Sequence, residues 1–351
     1  ESPLNLTSTS GVSISFLVLA SIKITVLQSL PAFEMEYATL DPSLEKLNPS
    51  REVVASFEKV LAQTEPMYSQ YMYNMLGVNP AYAGSREVLG LNFFQRNQWS
   101  GLRGAPKTTS LNLDQSISEG KIGLGIQMYS DQLGVEDASG VNAFLSSRIK
   151  VSDKGILSAG LSVGLMNYQF NSLDVQNRFT PGDNTFVTVI PSQWNPSVGF
   201  GLYYNTDQFY LGVSSPSVLK SRLAKYENFA SGIQKTDDFH LFTTMGYVIK
   251  INEEVNLKPS TMIKMVSGAP IEFDFNTNVW LKDMIGLGVS YRAGDAVLGM
   301  AEIQASRNLR IGYAYDMPFS PLKAYTRGSH EIMIRYEWGS SKSKIKSTRY
   351  F

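Results

Sequence analysis

One pattern repeats along most of this chain, from Arg86 onward. Segments of about ten residues alternate apolar with small or polar side chains, and turn residues separate them. In residues 157–165, leucine, alanine and valine occupy one face, while serine and glycine occupy the other. Residues 271–281, 309–316 and 330–338 repeat the alternation with charged residues on the second face. A period of two is typical of β-strands whose two faces meet different surroundings.

The pattern predicts about 14 strands joined largely as hairpins. The predicted strands are residues 86–99, 107–117, 121–131, 139–151, 154–170, 195–205, 208–214, 238–250, 254–266, 271–282, 284–293, 295–305, 307–316 and 329–339. Tight turn signals such as Asp153-Lys154-Gly155 and Gly294-Asp295 favour up-and-down order. No strand–helix alternation appears. We therefore predict an all-β fold, a transmembrane antiparallel up-and-down β-barrel, whose closure leaves no exposed strand edge.

The composition agrees with a barrel and argues against some classes of partner. Charged residues make up 18% of the 351 residues, and there are 18 tyrosines, 18 phenylalanines and 28 glycines. The 31 basic and 31 acidic residues cancel, so the sequence predicts no nucleic-acid partner. Outer-membrane lipid is the predicted surrounding of the strands. The chain has no cysteine, so disulfides, thiolate nucleophiles and cysteine metal sites are absent.

The chain divides into four parts by composition. Residues 1–65 are atypical, since Val12–Leu30 is marginal as a membrane-spanning helix and also resembles the apolar core of a signal peptide. Residues 66–85 are a tyrosine-rich lead-in, residues 86–339 the predicted barrel, and residues 340–351 a basic tail. Within the barrel, a long loop over 171–194 and a short helix within 217–232 are predicted to be regions of partner contact.

The sequence shows no convincing catalytic, metal or cofactor site. His240 and His330 are the only histidines, and neither lies near a nucleophile elbow such as G-x-S-x-G. Hydrogen-bonded histidines at the barrel ends are favoured over an outer-membrane lipase, although a triad assembled across strands stays open. Acidic pairs at 237–238 and 253–254 are weak Ca²⁺ candidates and more typical of solvated turns. The glycines of 123–125 alternate within a strand, which indicates small inward residues rather than a nucleotide site.

Charged residues on the inner face have two interpretations. They line a solute pathway, or they pair across strands and fill the interior; the second is favoured for a barrel of intermediate size. The residues concerned are Glu272, Asp274, Arg310, Asp316, Glu331, Arg335 and Glu337.

Two motifs of the lead-in resemble the start of mature PorP/SprF-family proteins. They are PMYSQYMYN at 66–74 and NPAYAGS at 79–85. This family comprises outer-membrane components linked to the type IX secretion and gliding machinery of Bacteroidota. The resemblance covers about residues 66–351 and leaves residues 1–65 outside. It continues through 93–99, 104–108, 209–216, 291–292, 311–316, 328–336 and the terminal Arg-Tyr-Phe at 349–351.

The resemblance implies a non-enzymatic barrel in the bacterial outer membrane, without cofactors. Its implied partners are the C-terminal domain of a secreted adhesin or other cargo, and other type IX secretion components. A dedicated adhesin anchor is favoured slightly over a core component that contacts periplasmic ring proteins. An outer-membrane solute channel stays open as a different class of function.

The lead-in supplies the candidate partner-binding residues under this resemblance. They are Tyr68, Tyr71, Tyr73, Asn79, Pro80 and Tyr82. Tyrosine offers a large contact area and a hydroxyl that needs a hydrogen-bond partner. The same properties suit a segment that braces the barrel from within, and the sequence leaves the two roles open.

Overall fold

The computed structural model describes residues 68–134, 136–170, 190–218, 240–266 and 270–338. The predicted segments 1–65 and 340–351, and most of the two predicted contact regions at 171–194 and 217–232, lie outside these residues. Among the described residues, no helix combines the length and hydropathy needed to cross a membrane.

The described residues form one sheet of antiparallel strands. The strands are β1 Leu89–Asn97, β2 Lys107–Ile117, β3 Ile122–Leu133, β4 Glu136–Lys150, β5 Ile156–Phe170, β6 Ile190–Asn205, β7 Phe209–Ser215, β8 His240–Tyr247, β9 Ile249–Lys250, β10 Val255–Val266, β11 Glu272–Leu281, β12 Ile285–Arg292, β13 Ala296–Gln304, β14 Leu309–Pro318 and β15 Ser329–Trp338. One short 3-10 helix, Pro321–Ala324, lies between β14 and β15.

The sheet closes on itself. Each strand pairs with its neighbours in the chain, and β1 also pairs with β15, with Leu89 opposite Trp338. The two-residue β9 continues β8 after Val248, and both pair with β10. The described cylinder therefore has 14 strands. This confirms the predicted up-and-down barrel of about 14 strands.

Residues that alternate along the sequence lie alternately on the outer and the inner face of the barrel. On β5, Leu161 and Val163 are each 58% exposed on the outer face, while Ser158 and Ser162 are buried on the inner face. The outer belt is apolar because it faces lipid, and its backbone groups are satisfied by neighbouring strands. The inner face carries the small and charged residues, as predicted.

The two ends of the barrel differ in the length of their connections. One end, called the base here, has the short turns 118–121, 151–155, 206–208, 251–254, 282–284 and 305–308. The other end, the mouth, has the connections 98–106, 134–135, 171–189, 216–239, 267–271, 293–295 and 319–328. Strand β1 begins and β15 ends at the base. Two base turns use paired left-handed residues, Ser118-Glu119 and Lys282-Asp283, a conformation that matches the twist of a hairpin.

Several strand starts differ from the prediction by one to five residues, and two of these differences have a clear cause. Strand β1 begins at Leu89 rather than Arg86, because Glu87 adopts a left-handed φ of 61° that ends the preceding turn. Strand β6 begins at Ile190, inside the segment predicted as a loop over 171–194. Pro191 and Pro196 weakened the strand signal there, since proline lacks the N–H that a strand ladder uses.

Candidate functional site

Residues Tyr68–Ser85 fold inside the barrel and are called the plug here. The plug consists of a 3-10 turn at Tyr71–Tyr73, one α-helical turn at Met75–Val78 and a second 3-10 turn at Pro80–Tyr82. Asn79 caps the last turn, because its side chain accepts a hydrogen bond from the Ala81 N–H at 2.9 Å. The side chains that the plug presents to the wall are almost all buried. The predicted lead-in thus lies in the centre of the lumen.

A charged cluster at the mouth holds the first residues of the plug. Glu331 accepts hydrogen bonds from the backbone N–H groups of Ser69 at 2.7 Å and Gln70 at 2.9 Å. Asp316 accepts from the Ser69 hydroxyl at 2.6 Å. Arg96 donates to Asp316 at 2.7 Å and to Glu331 at 3.3 Å, and also contacts Ser69. We call Arg96, Asp316 and Glu331 the latch.

The middle of the plug is fixed by hydrogen bonds from side chains of the barrel wall. Asn276 donates to the Tyr71 hydroxyl at 2.8 Å, and Arg335 donates to the Tyr73 carbonyl at 2.6 Å. Tyr71 is buried, and a buried hydroxyl with a hydrogen-bond partner suits a packed interior.

The last residues of the plug pack against glycines of the barrel wall. A Cβ on Gly123 would overlap the Ala83 carbonyl, and one on Gly160 would overlap the Ala81 backbone. Ser146 donates to the Ala83 carbonyl at 2.7 Å. The backbone of the plug therefore lies directly on the wall, at positions where only glycine leaves room.

Gly84 turns the chain out of the lumen near the base. Its φ of +68° lies in the left-handed region, and its N–H donates to Asp114 at 3.0 Å. Beyond it, Arg86 pairs with Glu337 on β15. These contacts connect the plug to the start of β1.

The predicted inner-face charges are paired within a filled interior. Asp274 forms an ion pair with Lys264 at 2.9 Å and accepts a hydrogen bond from Arg292 at 3.2 Å. The Arg310 guanidinium lies 4.4 Å from the centre of the Trp280 ring. In the part of the chain that the structure describes, the plug and these pairs occupy the lumen, which favours the filled-interior interpretation over a solute pathway.

The structure brings all six candidate partner-binding residues together in the plug. Of the six, Tyr71, Tyr73 and Asn79 are at most 3% exposed, and the other three are also buried. Tyr82 packs edge-on against Tyr203 with 5.5 Å between ring centroids. Their location is the one expected for bracing the lumen. Their role in partner binding stays a prediction.

The histidines occupy two different surroundings. His330 lies 2.6 Å from the Tyr313 hydroxyl through Nδ1, and His240 is buried edge-on against Phe242. Neither of these contacts involves a serine. In the part of the chain that the structure describes, no group of three or more His, Asp or Glu side chains has the arrangement of a metal site. The acidic residue Glu254 pairs with Lys282 at 3.4 Å, and both are exposed.

Three mouth connections form a hydrogen-bonded rim. Ser100 donates its N–H to the Gly328 carbonyl at 2.7 Å and accepts from the Arg327 N–H at 2.8 Å. Gly134 donates to the Gly104 carbonyl at 2.9 Å. The connections 98–106, 134–135 and 319–328 are thereby joined, and we call them the rim. Phe319 and Tyr325 are exposed on it.

Two cavities adjoin the plug. One, of about 80 Å³, lies near the mouth and is lined by Arg96 and Asp316 of the latch together with Trp99 and Asp295. The other, of about 50 Å³, lies beside the plug and is lined by Tyr68, Tyr71 and Val78 together with wall residues.

The sequence profile of the type IX secretion system membrane protein PorP/SprF matches residues 60–336. The chain belongs to the PorP/SprF family. Family membership and the closed barrel place it in the bacterial outer membrane, as predicted. Membership also implies that it works with other components of type IX secretion. In outer-membrane barrels long loops are mostly extracellular and short turns periplasmic, so we expect the mouth of this PorP/SprF barrel to face the cell exterior.

Comparison with solved structures finds other outer-membrane barrels. The Ralstonia pickettii toluene transporter TbuX is 10% identical, with a TM-score of 0.43, covering 74% of this chain and 91% of TbuX. The Acinetobacter baumannii outer membrane protein Omp33 is 8% identical, with a TM-score of 0.41, covering 72% of this chain and all of Omp33. The KdgM porin is 10% identical, with a TM-score of 0.37, covering 71% and 99% of the two chains. No curated protein matches the sequence.

Sequence reasoning missed the basic partners of the inner-face acids. Arg96, Lys264 and Arg292 lie at inward positions of β1, β10 and β12 and are buried. Their signal was present, since each is a basic residue at a position that the alternation assigns to the inside. The sequence did not predict which acidic residue forms an ion pair with each of them.

Proposed function

We propose that this PorP/SprF protein is a non-enzymatic anchor that holds a secreted adhesin or other cargo at the cell surface. The observation that carries the proposal is the filled lumen. A barrel packed by its own plug offers a rigid platform, and a closed barrel cannot leave the membrane without exposing its apolar outer face to water. A partner bound to such a barrel is retained at the membrane.

The rim is the proposed contact surface. It is joined by backbone hydrogen bonds across three connections, so its shape is set before a partner arrives, which lowers the entropic cost of binding. Phe319 and Tyr325 are exposed on it, and aromatic residues supply much of the binding energy of interfaces. The cargo's C-terminal domain is the proposed partner.

The candidate residues of the plug enter this proposal in a supporting role. Tyr68 and Tyr71 line the cavity of about 50 Å³ beside the plug, and we propose that they shape it for a side chain of the partner. Tyr73, Asn79, Pro80 and Tyr82 lie deeper and are proposed to shape the platform.

Affinity purification of the tagged protein from native membranes tests the proposal. We expect the wild type to recover a large surface protein. The double variant Phe319→Ser/Tyr325→Ser is expected to lose it, while Tyr247→Ser, an exposed aromatic beside the base, keeps it. Recovery of the barrel alone from wild-type membranes would contradict the anchor. Recovery of periplasmic ring proteins, unaffected by the rim variant, would favour the core-component alternative.

A further inference from the structure

The outer faces of β1 and β2 change from apolar to polar before the two strands reach the mouth. Phe93 is the last apolar outward residue of β1. Beyond it the outward residues are Gln95 and Asn97, which lie opposite Thr109 and Lys107 of β2. We call these four residues the polar strip. The inward neighbours on both strands are buried, so the strip belongs to the outside of the barrel.

The polar strip lies within the membrane-crossing part of the wall. Strand β1 has nine residues, which is about the length that crosses a bilayer. Its last outward positions are therefore expected at the level of the lipid headgroups. Thr109 donates to the Gln95 side chain at 2.6 Å, and the Gln95 amide donates to Asn97 at 3.3 Å. Asn97 is exposed, so its own amide N–H groups can serve as donors to a headgroup.

Two neighbouring strands continue the polar surface beside the strip. His330 on β15 lies opposite Asn97, and Tyr315 on β14 lies opposite His330. The Tyr313 hydroxyl lies 2.6 Å from His330 Nδ1. The Tyr315 hydroxyl donates to the Arg327 carbonyl at 2.7 Å. This last bond holds the rim against the outer face of the barrel, next to the strip.

The charges on the polar strip and on the rim are all basic. Lys107 is exposed in the strip. Arg103, Lys323 and Arg327 are exposed in the rim, whose three connections contain no acidic residue. None of these four cations forms an ion pair with another residue that the structure describes. At the base, in contrast, the exposed Lys282 has an acidic partner at 3.4 Å.

We infer that the polar strip and the adjoining rim bind the phosphate-bearing headgroup of a lipid in the leaflet at the mouth. Cations without an acidic partner, beside amide donors at the level of the headgroups, match a phosphate in charge and in hydrogen-bonding capacity. The acyl chains of the lipid then lie on the apolar belt below Phe93. The site adjoins the seam where β1 closes on β15. The inference goes beyond the proposed anchor, because it needs no cargo.

Lipid titration followed by native mass spectrometry tests the site. The folded full-length protein in a neutral detergent is titrated with phosphatidylglycerol. A second titration uses diacylglycerol with the same acyl chains, which lacks the phosphate. Lys107→Gln/Arg327→Gln removes two cations of the site. The matched control, Lys150→Gln/Lys154→Gln, removes two exposed cations near the base. Heat-modifiable migration on a gel shows that each variant has folded.

We expect the wild type and the base control to bind phosphatidylglycerol equally, and diacylglycerol much more weakly. Lys107→Gln/Arg327→Gln is expected to bind phosphatidylglycerol about tenfold more weakly, because basic residues near a lipid surface attract its anionic headgroups. Equal affinity of the wild type and this variant would overturn the inference, and so would equal binding of the two lipids.

Inorganic phosphate serves as a competitor at the same concentration as the lipid. We expect it to leave phosphatidylglycerol bound. Displacement of the lipid would mean that the site takes free phosphate, and would overturn the assignment to a lipid headgroup. None of these readouts requires a cargo, so they fail or succeed separately from the proposed anchor.

Discussion

Gly123 on β3 lies so close to Ala83 of the plug that a Cβ on the glycine would overlap the Ala83 carbonyl. The contact is between two backbones, so no side-chain rotation can relieve it. This fixes where the plug rests on the wall and makes the small inward residues of β3 part of the platform.

Adding one methyl group at this contact is expected to destabilise the folded protein. Gly123→Ala forces the plug or the strand to shift, and overpacking of this kind typically costs about 1–3 kcal/mol. Urea unfolding in lipid vesicles measures the change. Gly299→Ala is the matched control, because nothing lies within 4 Å of its new methyl group. Equal stability of the two variants would show that the plug does not rest on Gly123.

The latch is expected to contribute more than an exposed ion pair. Glu331→Leu removes the acceptor of two buried N–H groups and one partner of Arg96, and breaking a buried pair costs about 3–5 kcal/mol. The control Glu254→Gln removes only the exposed pair with Lys282, which is worth about 1 kcal/mol or less. Thermal unfolding in detergent compares the two. A loss at Glu331 no larger than that at Glu254 would rule out the latch as a stabilising cluster.

Tyr71→Phe isolates a single hydrogen bond in the middle of the plug. The phenyl ring keeps the packing, while Asn276 loses its 2.8 Å contact with the hydroxyl. We expect a loss of about 1 kcal/mol in the free energy of unfolding. Tyr325→Phe, at an exposed position of the rim, is expected to leave stability unchanged. An unchanged stability in Tyr71→Phe would mean that water replaces the bond without cost.

Deleting residues 66–74 separates bracing from partner binding. These residues include the part of the plug held by the latch, and their removal exposes Asp316, Glu331 and Arg96 to an empty lumen. We expect a less stable barrel, measured by heat-modifiable migration and unfolding. A barrel that keeps full stability but no longer recovers its partner from membranes would instead assign this stretch to binding.

The sequence predicted the strands of the barrel better than the packing of the plug inside them. Alternation alone assigned Ser158 and Gly160 to the inside and Leu161 to the outside, because a period of two depends only on neighbouring residues. It did not predict that the plug rests on Gly160. That contact joins residues far apart in the chain, and the plug itself has no repeating period.

The same reason explains the ion pairs. The sequence placed Asp316 and Glu331 on the inner face, but Arg96 lies more than two hundred residues earlier in the chain. The pairing depends on the closing contact of β1 with β15, where Arg96 is opposite Glu331. Such a register follows only from the closed sheet.

Ion conductance in planar bilayers tests the central claim, a barrel filled by its own plug, most directly. The wild-type protein is expected to show no stable conducting steps, because the plug and the paired charges occupy the lumen. A variant lacking the whole plug, residues 68–85, serves as the positive control and is expected to conduct. Stable conducting steps from the intact wild-type protein would contradict the filled barrel and would favour the solute-channel function instead.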